Sequence, residues 1–101
     1  MNYERALATV IDKLNSDHSI PVKLRSKQKI TDKEVEALVK SIKFLIEHFK
    51  NKDRIPKTLA AAFIDIYGGF SLKEGYLTKD EAEKYEDLGI ELQELAYELF
   101  T

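Results

Sequence analysis

Apolar residues recur at helical spacing in four stretches of the chain, and no stretch shows a strand pattern. Tyr3, Ala6, Leu7, Val10, Ile11 and Leu14 follow steps of three and one, which line one face of a helix with about 3.6 residues per turn. That spacing predicts a helix over residues 2–15. Val35, Leu38, Val39, Ile42, Leu45, Ile46 and Phe49 form a second stripe over 32–50, and Tyr85, Leu88, Leu92, Leu95 and Leu99 a third over 79–100. Between them Leu59, Ala60, Ala61, Ala62, Phe63, Ile64, Ile66 and Tyr67 leave almost no polar face, so a helix over 56–67 is expected to be covered on most sides and to sit centrally in the core.

Local signals place the helix ends. Thr31-Asp32-Lys33-Glu34 and Thr78-Lys79-Asp80-Glu81 both have the form of a capping box, in which the Thr side chain and the Glu side chain each satisfy the other's backbone N–H. Ile30 and Val35 fit the accompanying hydrophobic staple. Pro56 suits a first helical turn, and Gly68 suits the left-handed cap that would end a helix after Tyr67. Gly89 interrupts the last stripe, where a Gly costs about 1 kcal/mol relative to Ala unless a neighbour comes close; close contact with the 56–67 helix is expected there.

Four amphipathic helices with short connectors predict an all-α fold, an antiparallel four-helix bundle forming one domain over 1–101. The connector Ser16 to Ile30 is long for such a fold. Ser19-Ile20-Pro21 offers the start of an extra helical turn through Leu24 and Arg25.

Composition narrows the class. The chain has 101 residues, 44% hydrophobic and 34% charged, with no Cys. That length accommodates one domain held by packing alone, without disulfides or Cys-based zinc. The longest apolar run, Leu59 to Ile64, is far short of the roughly 20 residues that span a bilayer. The opening residues mix acid and base without an apolar signal core, so a cytoplasmic location is expected. Charge is divided unevenly: residues 1–57 carry +5 and residues 58–101 carry −7. Lys23, Arg25, Lys27 and Lys29 form the densest basic run. Such residues are commonly solvated connector positions paired with carboxylates, here expected on the last helix; the functional alternative is steering toward the anionic inner face of a membrane. Nucleic acid is a weaker partner, because the sequence pI is about 5.7 and no aromatic residue interleaves the run.

No catalytic constellation is legible, and the chain is not expected to be an enzyme. His18 and His48 have neither Cys nor a second His at i+4, so no metal or cofactor site is expected and both are read as solvent-exposed. The segment Gly68 to Gly75 lacks the Gly-Lys-Ser/Thr end of a phosphate loop, and Ser71 lacks an activating His. Glu83, Asp87, Glu91, Glu94 and Glu98 fall on the outer face of the last helix, where water keeps carboxylates ionised and poor as general acids.

Some apolar residues exceed what a simple core needs. Helical projection puts Phe44, Ile90 and Tyr97 away from their stripes. Phe70 and Tyr76 bracket the glycine-bearing loop, with packing over the bundle end favoured over projection toward a partner. Together with Phe100 these are candidate partner-contact residues, the bland alternative being that each fills a gap or simply sits in water.

The order of segments, from the Tyr3–Leu14 helix through the Val35–Phe49 helix and the Pro56–Tyr67 helix closing in Tyr67-Gly68 to the Leu77-Thr78 start of the last helix, resembles the immunity proteins of pediocin-like (class IIa) bacteriocins, especially the enterocin A immunity type. The likeness covers nearly the whole chain. It implies an antiparallel four-helix bundle that protects a cell from a pediocin-like bacteriocin without hydrolysing it. The protein would act from the cytosol, binding the membrane permease of the mannose phosphotransferase system once toxin is bound. The C-terminal half is associated in that family with choice of bacteriocin, which draws attention to Phe70, Tyr76, Ile90, Tyr97 and Phe100. A monomer with no small-molecule substrate is expected. In this reading Lys23, Arg25, Lys27 and Lys29 steer the bundle to the inner leaflet. The alternatives are a small nucleic-acid-binding regulator and a generic helical adaptor that binds an amphipathic partner helix.

Overall fold

The structure is a computed structural model that describes residues 1–64, 70 and 78–101. These residues form an all-α protein without strands: α1 (Tyr3–Asn15), α2 (Ile20–Arg25), α3 (Asp32–Phe49), α4 (Lys57–Ala62) and α5 (Lys79–Phe100). The four principal helices are those the apolar spacing predicts, consistent with a four-helix bundle, and α2 is the extra turn inside the long connector.

Each long helix starts where a side chain satisfies its first N–H groups. Asn2 Oδ1 accepts from Arg5 N–H at 2.8 Å. Glu34 N–H donates to Thr31 Oγ1 at 3.2 Å while Thr31 N–H donates to Glu34 Oε2 at 3.0 Å, and Thr78 and Glu81 repeat the arrangement at the start of α5. The chain leaves α2 through a Schellman turn, with Gln28 N–H donating to Lys23 O at 2.9 Å and Lys27 N–H to Leu24 O at 3.3 Å. Lys27 occupies the left-handed position of that turn, at φ 57°.

The core is assembled from the predicted stripes. Ala6, Val10 and Leu14 of α1, Leu38, Ile42, Leu45 and Phe49 of α3, and Tyr85, Leu88, Leu92, Leu95 and Leu99 of α5 are buried. α3 packs against both α1 and α5, while α1 also meets α4 and α2. Ile20 and Leu24 of α2 are buried, so this short helix closes the core beneath the connector.

The third predicted helix differs from expectation. It ends at Ala62, after which Phe63 N–H and Ile64 N–H donate three residues back to Ala60 O and Ala61 O, tightening the last turn. Only Leu59, Ala62 and Phe63 of this segment are buried; Ala60 and Ala61 face water, and Ile64 is 83% exposed. α4 is thus a short helix leaning on α1, and not the central element of the core expected of the 56–67 segment. The expected closure at Tyr67-Gly68 lies outside the described residues. Gly89 does make a close approach, but to Phe70, beyond α4, and not to the alanines of α4.

Candidate functional site

α5 has two faces of opposite character. Its inner residues, spaced three and four apart, are buried against α3 and Phe70. On the outer side Ile90 is 48% and Tyr97 72% exposed. Seven residues apart, they share one face about two turns from each other, with Glu94 between them at i+4 and i−3. Glu86, Asp87, Glu91 and Glu98 surround this pair and are also exposed. None of these carboxylates forms an ion pair among the described residues. Phe100, 38% exposed, marks the edge of the face; its ring meets Phe63 edge-on at 5.5 Å.

The other aromatic candidates lie elsewhere. Phe70 is 2% exposed, so it is core and not a free contact residue, in line with the packing alternative. Phe44 is half-buried against the core and its ring lies parallel to that of His48 at 6.5 Å. Tyr76 lies outside the described residues. The structure therefore brings Ile90, Tyr97 and Phe100 to one side of α5 and separates Phe44 and Phe70 from them.

The basic run is divided as well. Lys23 Nζ donates to Glu34 Oε1, as does Lys13 Nζ at 3.5 Å. Glu34 thus joins α1, α2 and the start of α3, since its other oxygen closes the capping box with Thr31. The hydrogen bond from Lys23, then that from the Thr31 backbone, lowers the Glu34 pKa to about 2 against the opposing effect of burial. The carboxylate partner of Lys23 is on α3, where the last helix was expected to supply it. Arg25, Lys27 and Lys29 remain exposed. Lys84 of α5 pairs with Asp32 at 3.4 Å.

His48 departs from the expectation of an exposed residue. Its ring stacks on Tyr3 at 4.3 Å and meets Phe49 edge-on at 4.9 Å. It is half-buried and ties α3 to the start of α1. His18 is exposed as expected, with Nε2 beside Asp12 Oδ1. No motif announces the Tyr3–His48 stack or the Lys13–Glu34–Lys23 bridge, because both join residues from different helices. Among the described residues no group of His, Cys, Asp or Glu is placed to hold a metal ion, and no helix is long and apolar enough to cross a membrane.

No family model, curated protein or solved structure matches the chain. What the arrangement presents on this side of α5 is two exposed apolar side chains, one with a phenol at its tip, set among exposed carboxylates.

Proposed function

We propose that this chain is a non-catalytic helical interaction protein that presents the outer face of α5 to a protein partner. The exposure of Ile90 and Tyr97 on one helical face carries the reading. Large aromatic side chains at the centre of a contact contribute most of the energy of association, and Tyr is among the residues enriched there. Phe70 is buried, Phe44 is half-buried beside His48 and Lys23 is engaged by Glu34, so each of these competing candidates is less accessible than Ile90 and Tyr97. The ion pair with Glu34 takes Lys23 out of the basic run, which leaves one cation fewer for phosphates, whether of a nucleic acid or of a membrane.

Bacteriocin immunity is the particular form of interaction that the resemblance supplies. In that form the partner is the mannose phosphotransferase permease with bound toxin, met from the cytosolic side, and exposed Arg25 and Lys29 favour approach to the inner leaflet. The helical order supports it, and the resemblance is its source. Expression in a bacteriocin-sensitive cell, with survival measured against a panel of pediocin-like peptides, tests it. Selective survival that Ile90→Ser with Tyr97→Ser removes, in a variant that still folds, is the expected result. Survival equal to the empty vector for every peptide, with soluble protein confirmed, rejects immunity to that panel and leaves the general interaction reading to direct binding measurements.

A further inference from the structure

We propose that the outer face of α5 binds a cationic amphipathic helix of its partner. This rests on the interaction reading above and adds the chemistry of the partner.

From Glu86 to Thr101 the chain has five carboxylates and no Lys, Arg or His. Asp87 with Glu91, and Glu94 with Glu98, stand four residues apart, the spacing at which like charges on a helix repel. Glu98 lies in the last turn of α5, which has no basic residue, so its charge also opposes the negative end of the helix dipole. None of these carboxylates forms an ion pair among the described residues; the nearest cations are Lys84, which shares a hollow with Asp87 and Glu91, and Lys50 and Lys52, which share one with Glu98. Lys or Arg at two of these positions would favour the free helix, and departures from local stability rules concentrate where function requires them.

The placement of the apolar pair makes the same demand of the partner. Ile90 and Tyr97 are separated by about two turns with Glu94 between them. A helix lying across them covers the pair with its own apolar stripe and brings its flanking positions over the carboxylates. Lys or Arg at those positions relieves both the repulsion within α5 and the unfavourable dipole contact, whereas Glu or Asp there adds to them. Anionic lipid and nucleic acid meet the same repulsion.

The test is fluorescence anisotropy of labelled helical peptides of about 18 residues, roughly 27 Å long. They share one apolar stripe but carry Lys, Gln or Glu on the remaining positions; a fourth has the Lys composition scrambled so that no stripe forms. The Lys peptide is expected to bind at least about tenfold more tightly than the Gln peptide at low salt, with the gap closing as salt approaches about 0.5 M. Glu94→Gln with Glu98→Gln brings the two affinities together, and Ile90→Ser with Tyr97→Ser, folded by circular dichroism, abolishes both. Equal binding of Lys and Gln peptides, lost in the Ile90/Tyr97 variant, overturns the cationic partner but retains the interaction face. Equal binding of scrambled and striped Lys peptides overturns it in favour of diffuse charge attraction. Salt-sensitive self-association in sedimentation velocity, lost in Glu94→Gln with Glu98→Gln, overturns it in favour of a second copy. Binding by none of the peptides at millimolar concentration rejects the face itself.

Discussion

Gly89 lies against Phe70 so closely that a Cβ on Gly89 would stand 2.9 Å from the Phe70 Cβ. The atom it would meet is next to the backbone and cannot swing aside as a side-chain tip can. Gly89 is therefore the residue that lets α5 seat Phe70, and the helical penalty of a glycine is accepted for that contact.

Gly89→Ala is accordingly expected to destabilise the protein even though Ala is the better helix former. Overpacking costs about 1–3 kcal/mol, against a propensity gain of about 1 kcal/mol. A net loss of about 1 kcal/mol lowers Tm by roughly 4–8 °C for a domain of this size. Thermal unfolding of the single variant and of Gly89→Ala with Phe70→Gly checks it. Because Phe70→Gly removes the Cβ that the new methyl meets, the change at Gly89 is expected to cost less in that background than in the native one.

How much of this was legible beforehand depends on distance along the chain. The stripes, both capping boxes and the Ser19-Ile20-Pro21 start were visible because caps and helical faces are set by residues within a few positions of one another. The close approach at Gly89 was also visible, but its neighbour was not. The outward positions of Ile90 and Tyr97 followed from projection alone. Phe44 projects away from the stripe centre, yet it is half-buried beside His48. The same limit hid the His48–Tyr3 stack and the two lysines on Glu34. Composition misled at α4 and the turn after it: an almost wholly apolar segment is expected to be covered on most sides, but Ala60, Ala61 and Ile64 face water.

Ser41 sits in the buried face of α3 with no hydrogen-bond partner for its hydroxyl among the described residues. A buried hydroxyl that forgoes water without a replacement is destabilising, and Ala is the better helix former. Ser41→Ala is therefore expected to stabilise the protein by about 1 kcal/mol, read as a higher urea midpoint with an unchanged slope. A decrease would mean that the hydroxyl is satisfied in solution.

Glu34 makes stability depend on pH in the acid range. Its folded pKa is about 2, below the ordinary 4.5. The unfolded chain therefore takes up this proton first as pH falls, and stability rises with pH across that interval. The contribution is fully present above about pH 5 and is lost progressively toward pH 2, amounting to about 1–2 kcal/mol once solvent screening is allowed for. Urea unfolding of the native chain and of Glu34→Gln at about pH 6 and pH 3 isolates it from the other carboxylates. The difference between the two proteins is expected to shrink at the lower pH. A difference that is the same at both would show that the ion pairs add nothing to Glu34 beyond its neutral hydrogen bonds.

The basic run, finally, separates into structural and surface members. Lys23 holds Glu34, and its removal leaves a half-buried carboxylate with only Lys13 as cation. Arg25 and Lys29 are exposed and line the outside of the connector. Lys23→Ala is expected to lower stability by about 1–2 kcal/mol and to raise the Glu34 pKa toward its ordinary value. Arg25→Ala with Lys29→Ala is expected to stay within about 0.5 kcal/mol of the native chain. Any loss of vesicle association in this double variant then reports on surface charge alone, whereas the same loss after Lys23→Ala is confounded with unfolding. Sedimentation with vesicles containing anionic lipid at low and high salt makes the comparison. If Arg25→Ala with Lys29→Ala leaves association unchanged while the chain remains folded, membrane steering by these two residues is rejected.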